Sequence, residues 1–93
     1  LSNDDSDFWT TWGREFCEVV RPLAPHAVGQ DAFDVAAIAL GGTPARCDVL
    51  ALDEAGLRRF SMAAAEVLEL EAVDIDLIRK AVEATRLHWS DHH

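Results

Sequence analysis

Residues 69–77, Glu-Leu-Glu-Ala-Val-Asp-Ile-Asp-Leu, decide the fold class of this chain. Leu70, Ala72, Val73, Ile75 and Leu77 interleave with Glu69, Glu71, Asp74 and Asp76, and such alternation is the pattern of a half-buried strand. A strand needs partners to be stable in water, and no partner strand is evident elsewhere in the chain. The stretch is therefore read as two helix ends: one helix finishes near Leu70, and the next begins under a cap at Asp74. A short carboxylate at that position accepts an otherwise unpaired backbone N–H. This reading makes the chain all-α, a small irregular (orthogonal) bundle of about five short helices in a single domain.

Working outward, the last helix runs from about Ile75 to Trp89, with Ile78, Val82, Thr85 and Trp89 on one side and an Asp76–Lys80 pair outside. Upstream, Asp53 caps a helix whose inward face is Leu57, Phe60, Ala64, Val67 and Leu68, and Glu54 stands four residues before Arg58. Thr43-Pro44 has the form of a helix start and opens a short helix to Leu52, with Cys47, Leu50 and Ala51 inward. Gly41-Gly42 stops the helix before it, which is read as capped at Asp31 with Phe33, Ala36, Ala37 and Leu40 on one face. The first helix is capped at Asp5, Ser6 or Asp7 and carries Phe8, Trp12 and Phe16 at i, i+4 and i+8, with Trp9, Val19 and Val20 beside them. Arg21-Pro22 ends it. Residues 1–6 are expected to fray, 7–90 to form the domain, and 91–93 to be disordered.

The chain has 17 acidic and 8 basic residues, a net charge of −9, yet 49% of its residues are hydrophobic. An acidic disordered tail would lack that apolar content, and a nucleic-acid binder would carry the opposite charge, so no nucleic-acid partner is expected. The longest apolar run, Val35 to Leu40, is far short of the roughly 18 residues of a membrane span, so no membrane partner is expected either. Nothing resembling a signal peptide opens the chain, and Cys17 and Cys47 read as two buried, reduced thiols, so the expected location is cytoplasmic. A single Lys among the basic residues, with abundant Ala and Asp, suggests a GC-rich bacterial genome.

No nucleophile elbow, P-loop or other catalytic motif is present, so no catalytic residue and no cofactor are assigned. The string His88-Trp89-Ser90-Asp91-His92-His93 puts His88 and His92 on one helix face. Histidines at a helix C-terminus already interact favourably with its dipole, and no metal site is assigned. Glu66, Glu69, Glu71, Asp74 and Asp76 lack the glycine and the ligand order of an EF-hand loop, and suit a basic partner instead. Phe8 and Trp9 are adjacent and point about 100° apart on a helix, which leaves two readings: the other helices cover a wide core-facing stripe entirely, or one of the tryptophans reaches the surface, where Trp serves as a binding anchor. The expected partner-binding residues are Phe8, Trp9, Trp12, Glu66, Glu69 and Glu71. They describe a non-catalytic protein–protein interaction module: an adaptor, chaperone, accessory subunit or inhibitor-like protein with a protein partner of basic character. A homodimer formed through the aromatic helix is an alternative.

The stretch Ser61-Met62-Ala63-Ala64-Ala65-Glu66-Val67-Leu68-Glu69-Leu70-Glu71 loosely resembles helix II of an acyl or peptidyl carrier protein. That family is small, acidic and helical, with a Ser-Leu or Ser-Met step at the start of its recognition helix. The resemblance implies phosphopantetheine on Ser61 and docking of this helix onto basic enzyme surfaces. The chain departs from the family's pattern at Phe60, where an Asp usually precedes the serine, and at Arg58-Arg59, where acids are common. The spacing after Glu66 is also one residue short. A carrier-like protein modified on Ser61 is thus a further alternative.

Overall fold

The computed structural model describes residues 2–91, with side chains described for residues 6–89. It contains α1 (Ser2–Val20), α2 (Gly29–Leu40), α3 (Arg46–Leu50), α4 (Glu54–Val67) and α5 (Ile75–Asp91), and no strand among the described residues. Residues 69–77 are a helix–helix junction. The Asp76 backbone N–H donates to Asp74 Oδ1 at 3.0 Å, so Asp74 caps α5 as its position before Ile75 suggested. Asp53 likewise accepts from the Gly56 backbone N–H at 2.8 Å and opens α4.

Other boundaries move. Helix α1 already begins at Ser2, upstream of the cap read at Asp5–Asp7. Helix α2 begins at Gly29, and Asp31 acts from inside its first turn, accepting from the Val28 backbone N–H at 2.9 Å. Helix α3 begins at Arg46, not at Pro44, and its N-cap Ala45 offers no side-chain oxygen. It turns Val49 inward and leaves Cys47 and Ala51 exposed, so Cys47 is not the buried thiol expected. A five-residue helix cannot stand on its own hydrogen bonds. Arg86 of α5 holds it by donating to the Leu50 carbonyl at 2.6 Å.

Helix α1 is the spine and packs most extensively on α5 and α2, while α2 in turn packs on α4. Phe8, Trp12, Phe16 and Val20 are wholly buried, together with Phe60 of α4 and Ile78 of α5. The rings of Trp12 and Phe60 meet edge to face at 5.9 Å. Burying Trp12 also buries its indole N–H, which donates to the Ala32 carbonyl of α2 at 2.9 Å and so leaves no orphan donor. Thr85, the buried polar side chain of the core, turns its hydroxyl back onto the Ala81 carbonyl at 2.8 Å.

Two ion pairs expected at i,i+4 spacing are rearranged. Glu54 and Asp76 both go to Arg79 of α5, which reaches Glu54 at 2.7 Å and also pairs with Asp76. One guanidinium with a planar fork of donors joins the starts of α4 and α5, and its own pKa is raised by its hydrogen bond and charge interaction with Glu54. Arg58 and Lys80, the partners read from sequence spacing, have no ion pair among the described residues.

Candidate interaction surfaces

The aromatic residues proposed as anchors divide into core and seam. Phe8 and Trp12 are 0% exposed and cannot touch a partner without unfolding the domain, which removes them from any binding surface. Trp9 lies one position round the helix, half-buried, with its ring edge-to-face on Phe8 at 4.8 Å and on Phe33 of α2 at 5.1 Å. It borders an open groove of about 540 Å³ between α1 and α2, with Ser6, Thr10, Gly13, Gly29 and Phe33. The two helices come close here because glycine meets glycine. A Cβ on Gly13 would lie 3.0 Å from the Gly29 Cα. Trp9 is therefore mainly a seam side chain, already engaged on both sides by its own chain.

The other side of α2 differs. The groove between α2 and α4, about 270 Å³, is lined by Ile38, Ala39, Arg59, Met62, Ala63 and Glu66. Met62 is 73% exposed and Ile38 48%, two large apolar side chains beside each other on one surface. Arg58 and Arg59, both exposed, form no ion pair or side-chain hydrogen bond among the described residues, although the chain carries more than twice as many acids as bases. Glu66, Glu69 and Glu71 are exposed and equally without a cation among the described residues. Helix α4 thus presents arginines toward its N-terminal half, glutamates at its C-terminal end and Met62 between them. These arginines and glutamates stand opposite to what the helix dipole favours, whereas Asp53 and Glu54 at the start of α4 follow it.

Glu69 adds a conformational cost. It follows α4 with φ 57, in the left-handed region, while Leu70 N–H donates to the Ala65 carbonyl at 2.8 Å and Glu69 N–H to the Glu66 carbonyl at 3.3 Å. This is a Schellman ending, whose left-handed position is normally glycine. Gly41 fills that role at the end of α2, with φ 76. A side chain in that conformation costs about 1 kcal/mol relative to glycine.

The remaining sequence candidates lie apart from this surface or are already engaged. Ser61 sits in the interior of α4, half-buried, and its hydroxyl donates to the Val73 carbonyl, tying the helix to the α4–α5 junction. A carrier serine must stand free at a helix start. The position and bond of Ser61 differ from the free serine at a helix start that the resemblance implied. His88 Nδ1 lies 2.6 Å from Glu15 Oε2, joining α5 to α1, and His92 and His93 lie outside the described residues. Among the described residues no cluster of three or more metal-ligating side chains is present. No helix among them is long and apolar enough to cross a membrane. Cys17 and Cys47 are both free, and burial, followed by the charge of Asp31, pushes the Cys17 thiol pKa up, opposite to what a nucleophile needs.

No protein-family model, curated protein or solved structure matches this chain. Ile38 and Met62 were not singled out from the sequence, though a signal existed. Each is a large apolar residue out of phase with the buried stripe of its own helix, which is Leu57, Phe60 and Ala64 in α4 and Ala32, Val35 and Ala36 in α2.

Proposed function

We propose that this chain is a non-catalytic protein–protein interaction module that docks through the α2–α4 face. The observation that supports this reading is the grouping of exposed Met62 and Ile38 with Arg59 of the groove and its exposed neighbour Arg58, two cations with no ion pair among the described residues of a chain of net charge −9. Unpaired arginine next to bare methionine is a combination that interfaces favour, because the apolar contact supplies affinity and the charges supply orientation. The aromatic residues act on this function indirectly, as the core that holds α2 and α4 in place.

The test is photo-cross-linking in the organism's own cells, with a photoreactive side chain at position 62 and, as control, at position 87. Leu87 of α5 is comparably exposed, at 65%, but lies outside the α2–α4 groove. A discrete adduct from position 62 and none from position 87 is the expected result. Equal labelling from both positions, or none from either, rejects the reading.

A further inference from the structure

We infer that the occupant of the α2–α4 face is a second copy of this chain, lying antiparallel along α4 about a two-fold axis near Met62. This rests on the reading of that face as a docking surface and adds the partner. Position 62 lies three residues after Arg59 and four before Glu66, and all three side chains are exposed on the same side of the helix. Turning one helix end over end about Met62 sets Arg59 of each copy against Glu66 of the other, and Arg58 toward Glu69. Met62 meets its own counterpart, and Ile38 of α2 closes the flank. A parallel pairing would set arginine against arginine and glutamate against glutamate.

A partner surface of a single charge sign leaves part of this surface unsatisfied. A basic protein would answer the glutamates and repel Arg58 and Arg59, while an acidic one would do the reverse. All four charges are met only by a surface with the same pattern in reverse, and a two-fold axis makes the chain its own match. The arrangement also accounts for two local costs. Arg58, Arg59 and Glu66 stand against the dipole of α4, unlike Asp53 and Glu54 at its start, and Glu69 occupies a backbone position where glycine is better, so neither feature serves the isolated monomer.

Magnitudes set the strength. Fourteen residues at about 1.5 Å rise give α4 a contact line of roughly 21 Å, so even with the edge of α2 the patch falls below the ~800 Å² per partner of a standard interface. Two bodies of net charge −9 also repel one another beyond the contact. The dimer is therefore weak, with a Kd in the range of roughly 10 µM to 1 mM at about 0.15 M salt.

The decisive experiment is a charge swap on the whole chain, read by sedimentation velocity across that concentration range. Variant A carries Arg58→Glu and Arg59→Glu, and variant B carries Glu66→Arg and Glu69→Arg. All four positions are exposed, and circular dichroism verifies that each variant keeps its helicity. Wild type should show a concentration-dependent dimer, and A and B alone should each be monomeric. An equimolar mixture of A and B, in which every facing pair is again opposite in sign, should associate at least as strongly as wild type. Met62→Ser, which leaves the charges alone, should weaken the wild-type dimer at least tenfold. A wild-type chain that stays monomeric, a single-sign variant that still dimerises, or a mixture that fails to recover each overturns the inference. If wild type is monomeric while position 62 cross-links to a different protein, the pairing fails and the interaction reading stands. Absence of both dimer and cross-link removes the two together.

Discussion

Against α1, helix α2 is held by the Trp12 bond to the Ala32 carbonyl, by the Trp9–Phe33 edge contact and by a glycine–glycine approach. Against α4, the groove it lines leaves Ile38 and Met62 bare beside Arg59 and Glu66, which have no ion pair among the described residues. One side of α2 has its aromatic and polar groups matched within the chain, and the other carries groups that would gain from a partner. Both flank the same helix, so the difference comes from what α1 and α4 bring to it. Helix α1 supplies rings and an indole N–H, whereas the outer surface of α4 supplies arginines, glutamates and a methionine. Both sides are packed, but the rings and indole N–H of the first are engaged within the chain, whereas Met62, Ile38 and the charges of the second have no such partner among the described residues, which makes that side the candidate interface.

The α1–α2 side is most sensitive at Trp12. Trp12→Ala should cost about 3–5 kcal/mol, a large share of the roughly 5–15 kcal/mol of a typical domain, seen as a sharp fall in the urea midpoint. An effect below about 1 kcal/mol would mean that the α1–α2 side is not the stabilising one. Gly13→Ala tests the same side with one methyl group. Its Cβ would meet the Gly29 backbone at 3.0 Å, and backbone cannot rotate aside, so a loss of about 1–3 kcal/mol is expected despite the better helix propensity of alanine. A neutral result would show that the helices separate freely there. Glu69→Gly sharpens the other side with the smallest effect and the opposite sign. It should raise monomer stability by up to about 1 kcal/mol by relieving the left-handed strain, while weakening self-association. A loss of stability would mean that Glu69 has a structural role within its own chain.

Much of the fold was legible in the sequence. The Asp53 and Asp74 caps, the Gly41 stop and the Phe8-Trp12-Phe16 stripe depend on the backbone needs of single helices, which neighbouring residues alone satisfy. The candidate site was only partly legible. Glu66 belongs to the groove and Trp9 to the opposite side of α2, while Phe8 and Trp12 are core. Helical periodicity locates an apolar stripe but cannot say how far neighbouring helices cover its edges. The ion pairs failed for a similar reason. Spacing along α4 favours Glu54 with Arg58, but Arg79 arrives from another helix and takes the carboxylate.

The features legible from neighbouring residues alone are local: an acidic, all-α chain, two helix starts at Asp53 and Asp74, two helix stops at Arg21-Pro22 and Gly41, and the aromatic stripe at the centre of the core. These follow from backbone capping and from the 3.6-residue period, both of which act within a few residues. Which side chains stay exposed follows from the packing of the helices. That packing buried Phe8 and Trp12, tied Ser61 to Val73, sent Arg79 to Glu54, and left Met62, Ile38, Arg58 and Arg59 uncovered. Exposure and charge pairing depend on groups far apart in the chain, and the packing of five helices brings those groups together.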